Sequence, residues 1–143
     1  MKVLHVTTGA LLAAGLSFTA AHAEMVKMKA NLTSAQEVPA NDSKGKGTAE
    51  ITVDTTGKKV MFTVNFEGLS GDAVAAHIHG PAEAGANAGV IVNIGMAGGL
   101  KSPIKGELPL TDAQIADVTA GKSYVNVHTA ANKGGEIRGQ ITK

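Results

Sequence analysis

The chain has 143 residues, a length that suits one domain, with 13 Lys+Arg against 12 Asp+Glu and no cysteine. That balance offers no basic tract for nucleic acid or an anionic membrane, and one Tyr, three Phe and no Trp leave few platforms for stacking bases. Without cysteine, thiolate, disulfide-exchange and iron–sulfur chemistry are excluded, and the fold rests on its apolar core.

Residues 1–23, MKVLHVTTGALLAAGLSFTAAHA, combine Lys2, an apolar run from Ala10 to Leu16 and the small-residue ending Ala21-His22-Ala23. This is the layout of a secretory signal peptide cleaved before Glu24. The apolar run falls short of the ~20 residues that a membrane helix needs. The expected mature domain, residues 24–143, is therefore periplasmic or secreted and has no membrane span. Loss of Lys2 with the leader makes it formally neutral.

Period-two patterns then recur along the chain. VKMKANL places Val26, Met28, Ala30 and Leu32 on one face, as a half-buried strand does. PANDSKGKG is a loop of turn formers, and TAEITVD aligns Ala49, Ile51 and Val53. TTGKK reads as a hairpin turn into KVMFTVNFEG, with Val60, Phe62, Val64 and Phe66 inward. In LSGDAVAAHIHG a bend leads to a strand on which His77 and His79 face one way and Val74, Ala76 and Ile78 the other. GPAEAGANAG is a glycine-rich loop, VIVNI a short buried strand, and a weak strand surrounds Ile104. TDAQIADVTAG is the helical segment, with a Thr111–Gln114 capping box and Gly121 as its stop. YVNVHT, the turn ANKGG and EIRGQIT close the chain. Seven or eight strands and one short helix predict an all-β fold, a Greek-key β-sandwich or barrel.

Only His77, His79 and His128 remain once His5 and His22 leave with the signal peptide. In YVNVHT, Val125 and Val127 suit the core, so His128 takes the outward phase with Tyr124 and Asn126. If the HIH and VHT strands are neighbours, three imidazoles converge on one patch. An all-histidine set points to Cu(II), with Zn as the alternative. A packing or hydrogen-bonding role for the same histidines is the competing reading. Asn126, Glu136 and backbone carbonyls are candidates to orient the imidazoles. Arg138 shares the outward phase with Glu136 and Gln140. It could steer anions to an open metal position, or be a solvated arginine paired with Glu136 or Glu107.

The order SAQEVPA, AAHIHGPAEAGANAGVIVNI, YVNVHTAANKGGEIRGQI closely resembles a CHRD domain, from about Met28 to Thr142. That family also occurs as a lone exported bacterial domain. The HxH strand, the later VxH strand and the arginine near the last strand are more distantly similar to Cu/Zn superoxide dismutases. The chain lacks a histidine between Gly80 and Val127 to bridge two metals, the further zinc ligands and the disulfide cysteines. The likeness thus implies a copper-only site of His77, His79 and His128, with Arg138 guiding the anion. Two functions follow as expectations. One is a metal-binding domain, either a carrier or buffer or a dismutase-like enzyme. The other is a non-enzymatic module that binds another exported protein.

Overall fold

The computed structural model describes residues 24–143; the signal peptide expected over 1–23 lies outside the described residues. Among the described residues, eight strands run in the order β1 (Met25–Thr33), β2 (Lys46–Asp54), β3 (Lys59–Glu67), β4 (Ala73–His79), β5 (Val90–Val92), β6 (Ile104–Pro109), β7 (Tyr124–Thr129) and β8 (Ile137–Gln140). A 3-10 turn covers Ser34–Gln36, and two helices, α1 (Ile94–Gly98) and α2 (Asp112–Thr119), lie between later strands. All strand pairs are antiparallel, and they join in one sheet of order β5-β4-β7-β8-β1-β2-β3-β6. The sheet curls into a nearly closed barrel whose free edges are β5 and β6. Helix α1 connects these edges and packs against both β4 and β6, covering the seam. Across that seam β7 returns beside β4 over the connection that carries α2, which is a Greek-key path.

The interior is the face that alternation selects. Met28, Ala30, Leu32, Ala49, Ile51, Val53, Val60, Phe62 and Val64 are buried, joined by Ala76, Ile78, Val125, Val127, Ile137 and Ile141. Each fully buried Leu, Ile or Val contributes about 1.5–3 kcal/mol against solvent exposure, so this shared face fixes the register. The expected helix forms as α2, where the Thr111 hydroxyl accepts from the Gln114 amide and the Gln114 side chain caps the Thr111 N–H.

Three details depart from the sequence pattern. Val74 is 52% exposed rather than inward, because the β4–β7 register shifts between Ala73 and Ala75. VIVNI is not a buried strand. β5 stops at Val92 and lies on a sheet edge with Val90 54% exposed, while Ile94 enters the core as the first residue of α1. The outward face of β7 and β8 is not solvated either. Asn126, His128, Glu136 and Arg138 are all buried there, because loops fold back over that side.

Candidate metal centre

β4 and β7 are hydrogen-bonded neighbours, with Ala75 opposite His128, His77 opposite Asn126 and His79 opposite Tyr124. Alternation puts His77 and His79 on the outer face of β4 and His128 on the same face of β7. Among the described residues, these three histidines form a group whose available nitrogens all lie within 4.8 Å of one another. His128 is buried, and His77 and His79 are partly so.

Two imidazoles have their tautomer set by the backbone. His79 Nδ1 lies 3.0 Å from the Ala88 carbonyl, and His128 Nδ1 lies 3.0 Å from that of Lys133. A carbonyl only accepts, so each Nδ1 carries the proton and each Nε2 keeps a lone pair. His77 Nδ1 sits 3.1 Å from His128 Nε2, to which it donates. His79 Nε2 is buried with no hydrogen-bond partner among the described residues. Burial, then the neighbouring imidazoles of His128 and His79, lower the pKa of His77 to about 4. Burial also lowers His79 and His128, against the opposing pull of their carbonyl bonds. The cluster is therefore uncharged near neutral pH, the state in which imidazole is a ligand.

Around it stands a stack that no residue pattern along the strands foretells. The Tyr124 ring is parallel to His79, with an interplanar angle of 2° and centroids 4.9 Å apart. The Arg138 guanidinium lies on the Tyr124 ring, 3.4 Å from its centroid. Arg138 donates to the Asn87 side-chain oxygen at 3.0 Å and to the Ala86 carbonyl at 2.6 Å, and the Tyr124 hydroxyl accepts from the Ala88 N–H. The loop that supplies the carbonyl for His79 is thus pinned at Ala86, Asn87 and Ala88. Arg138 is 2% exposed, and Glu107 pairs instead with Lys59.

Asn126 and Glu136 have other partners. Asn126 Nδ2 donates to Glu37 Oε2 at 3.2 Å. Glu136 accepts from the Ser43 and Ser70 hydroxyls, the Ser70 N–H, the Asn132 amide and the Thr129 hydroxyl. Burial opposes its charge, but these donors outweigh it and bring its pKa down to about 2. The orienting bonds to the histidines come from the carbonyls of Ala88 and Lys133. Both are in loops where residue type says nothing of which carbonyl turns inward.

A family model described as the CHRD domain matches residues 28–141. No curated protein and no solved structure matches the chain. The likeness to Cu/Zn superoxide dismutases therefore stands on the order of the histidines and Arg138 alone.

Proposed function

The chain belongs to the CHRD domain family, and from that premise we propose that it is an exported metal-binding domain. His77, His79 and His128 hold one first-row transition metal ion, copper first and zinc as the alternative. The observation that carries this reading is the buried, partnerless His79 Nε2 beside a His77–His128 nitrogen pair only 3.1 Å apart. Two nitrogens bound at ~2.0–2.1 Å to one metal stand roughly 3–3.4 Å apart, so that pair already has the spacing of two ligands. Three neutral imidazoles without carboxylate or thiolate suit Cu(II) and Zn. Ligation through His77 Nδ1 moves its proton to Nε2.

The residues around the cluster serve orientation in this reading. The Ala88 and Lys133 carbonyls hold His79 and His128 with Nε2 turned toward the cluster, and Tyr124 keeps the His79 ring from rotating. Arg138 holds the loop at Ala86 and Asn87. Bound copper would supply one-electron chemistry. With Arg138 committed to that loop rather than free for an anion, carriage or buffering of the metal is favoured over dismutation. Export follows from the signal-peptide reading of residues 1–23 and places the domain in the periplasm or outside the cell. The open edge at β5, with Val90 exposed, is what favours the second reading, a module that docks another exported protein.

Titration of the tag-free protein with Cu(II), followed by calorimetry and electron paramagnetic resonance, tests the proposal. One tight site with nitrogen hyperfine structure, absent when His77, His79 and His128 are all changed to Ala, is the expected result. Weak binding that the triple variant retains would discard the metal reading and leave the histidines as a packed cluster.

A further inference from the structure

Beside the imidazoles, two buried oxygens crowd one point with no donor for either. Glu37 is 6% exposed, and among the described residues neither its Oε1 nor Asn126 Oδ1 has a hydrogen-bond partner. Both lie within 2.6 Å of where a Cβ on Gly135 would sit, so only the missing side chain of that glycine leaves them room. The other ends of the two groups are already joined, Asn126 Nδ2 donating to Glu37 Oε2. An ionised Glu37 would leave Oε1 and Oδ1 as two unmet acceptors side by side. One proton on Oε1, donated to Oδ1, satisfies both.

We infer that Glu37 is held as a neutral carboxylic acid in a cyclic hydrogen-bonded pair with Asn126, a proton site that latches the segment 34–41 onto β7. Its surroundings agree with this. From β7 it faces Asn126, from the turn 130–135 Gly135, and from β8 the Arg138 guanidinium; beyond Asn126 the next strand offers His77, uncharged near neutral pH. Burial pushes the Glu37 carboxyl up to about 7, while the Asn126 bond and the Arg138 charge pull the other way. The latch also reaches the loop over His79. The Val38 carbonyl, next to Glu37, accepts from Asn87 Nδ2 at 2.9 Å, and Asn87 precedes the residue whose carbonyl holds His79. Ionisation of Glu37 therefore loosens the segment 34–41 and, through Asn87, the loop 86–89. No metal is required for any of this.

The proton is observable directly. Infrared difference spectra of the protein in chelator, between about pH 5.5 and about pH 8.5, bracket the Glu37 transition and lie above the ordinary carboxylate range. The expected spectrum loses the carbonyl band of one carboxylic acid and gains one carboxylate as pH rises, a feature missing from E37Q. Glutamine reproduces the protonated pair, its amide donating to Oδ1 and its carbonyl accepting from Nδ2. E37Q should therefore melt above the wild type at both ends, by a small margin at the acid end and by a margin several degrees larger at the alkaline end, because the wild type must take up a proton on folding at any pH above the ordinary carboxylate range. Absence of the acid band in the wild type would overturn the inference. So would an E37Q that melts below the wild type by the same margin at both pH values, the behaviour of a carboxylate paired with Arg138. Chelator keeps the result independent of whether copper binds.

Discussion

Replacing Glu136 with Gln should cost about 2–4 kcal/mol at neutral pH and remove the share of the fold's acid sensitivity that this carboxylate carries. The five hydrogen bonds that Glu136 accepts come from residues on three loops and one strand end. Hydroxyls of Ser43, Ser70 and Thr129 can turn to accept from an amide, but the Ser70 N–H cannot, and the Asn132 Nδ2 gives way to its own Oδ1 only if that side chain flips. Glutamine must direct its NH2 at one of them, losing one or two bonds to a charged acceptor at about 1.5–3 kcal/mol each. The titration gives a second route to the magnitude. The Glu136 pKa falls from 4.5 to about 2 on folding, roughly 2.5 units, which corresponds to about 3 kcal/mol. Because the folded value is depressed, this stabilisation is complete above about pH 4.5 and is lost as pH falls toward about 2. Urea unfolding of wild type and E136Q at about pH 7, 4 and 2.5 reads the difference, in which the histidine titrations common to both proteins cancel. The gap should shrink from about 3 kcal/mol to below ~1 kcal/mol across that series. A gap that stays constant with pH, or E136Q as stable as wild type at neutral pH, would refute the assignment of a charged, donor-saturated Glu136.

Other substitutions probe separate parts of the argument. G139A should destabilise by about 3 kcal/mol or more or prevent folding, since its Cβ would stand 2.4 Å from the Asn31 carbonyl oxygen where β8 meets β1; thermal unfolding measures this. T111A removes the α2 cap and should cost about 1 kcal/mol in urea unfolding, with metal binding unaffected. R138M removes the cation on Tyr124 and both bonds to the loop, so hydrogen exchange at Ala88 should accelerate while α2 amides stay protected. Cu(II) at ~100 times its dissociation constant should add about 2.7 kcal/mol of stability to the wild type and none to the triple histidine variant, a shift that differential scanning calorimetry resolves.

What the sequence makes legible is whatever a period of two or a local cap decides. Ala30, Ile51 and Val64 are inward because their neighbours along the strand are polar. His77 and His79 share a face because they are two apart, and His128 joins them because β7 pairs with β4. The Thr111–Gln114 box forms because it needs three residues and nothing else. The pattern fails where a distant contact or an irregularity takes over. A register shift at Ala73–Ala75 turns Val74 out, and the apolar run VIVNI breaks between edge strand and helix because a short apolar run suits either. The outer face of β7 and β8 is polar in sequence and buried in space. Its cover comes from residues 37–43, 86–89 and 130–135, whose approach no alternation encodes.

Two carboxyls on that covered polar side meet opposite fates, and hydrogen-bond arithmetic explains both. Glu136 is surrounded by groups with protons to give, and keeps its charge despite complete burial. Glu37 receives one such bond, from Asn126, and has only the Arg138 charge in addition, so burial prevails and its pKa rises. Charge alone would predict the reverse. Glu37 has a guanidinium nearby, whereas the groups bonded to Glu136 are all neutral. A donor aimed at the oxygen outweighs a nearby cation that donates elsewhere, as Arg138 does to Ala86 and Asn87. The same reasoning applies to the imidazoles. His79 Nε2 is buried with no donor turned toward it, and a lone pair in that position is satisfied by a proton or by a metal. Burial disfavours the protonated form of His79, so in the proposed reading a metal ion is the partner that would satisfy this atom.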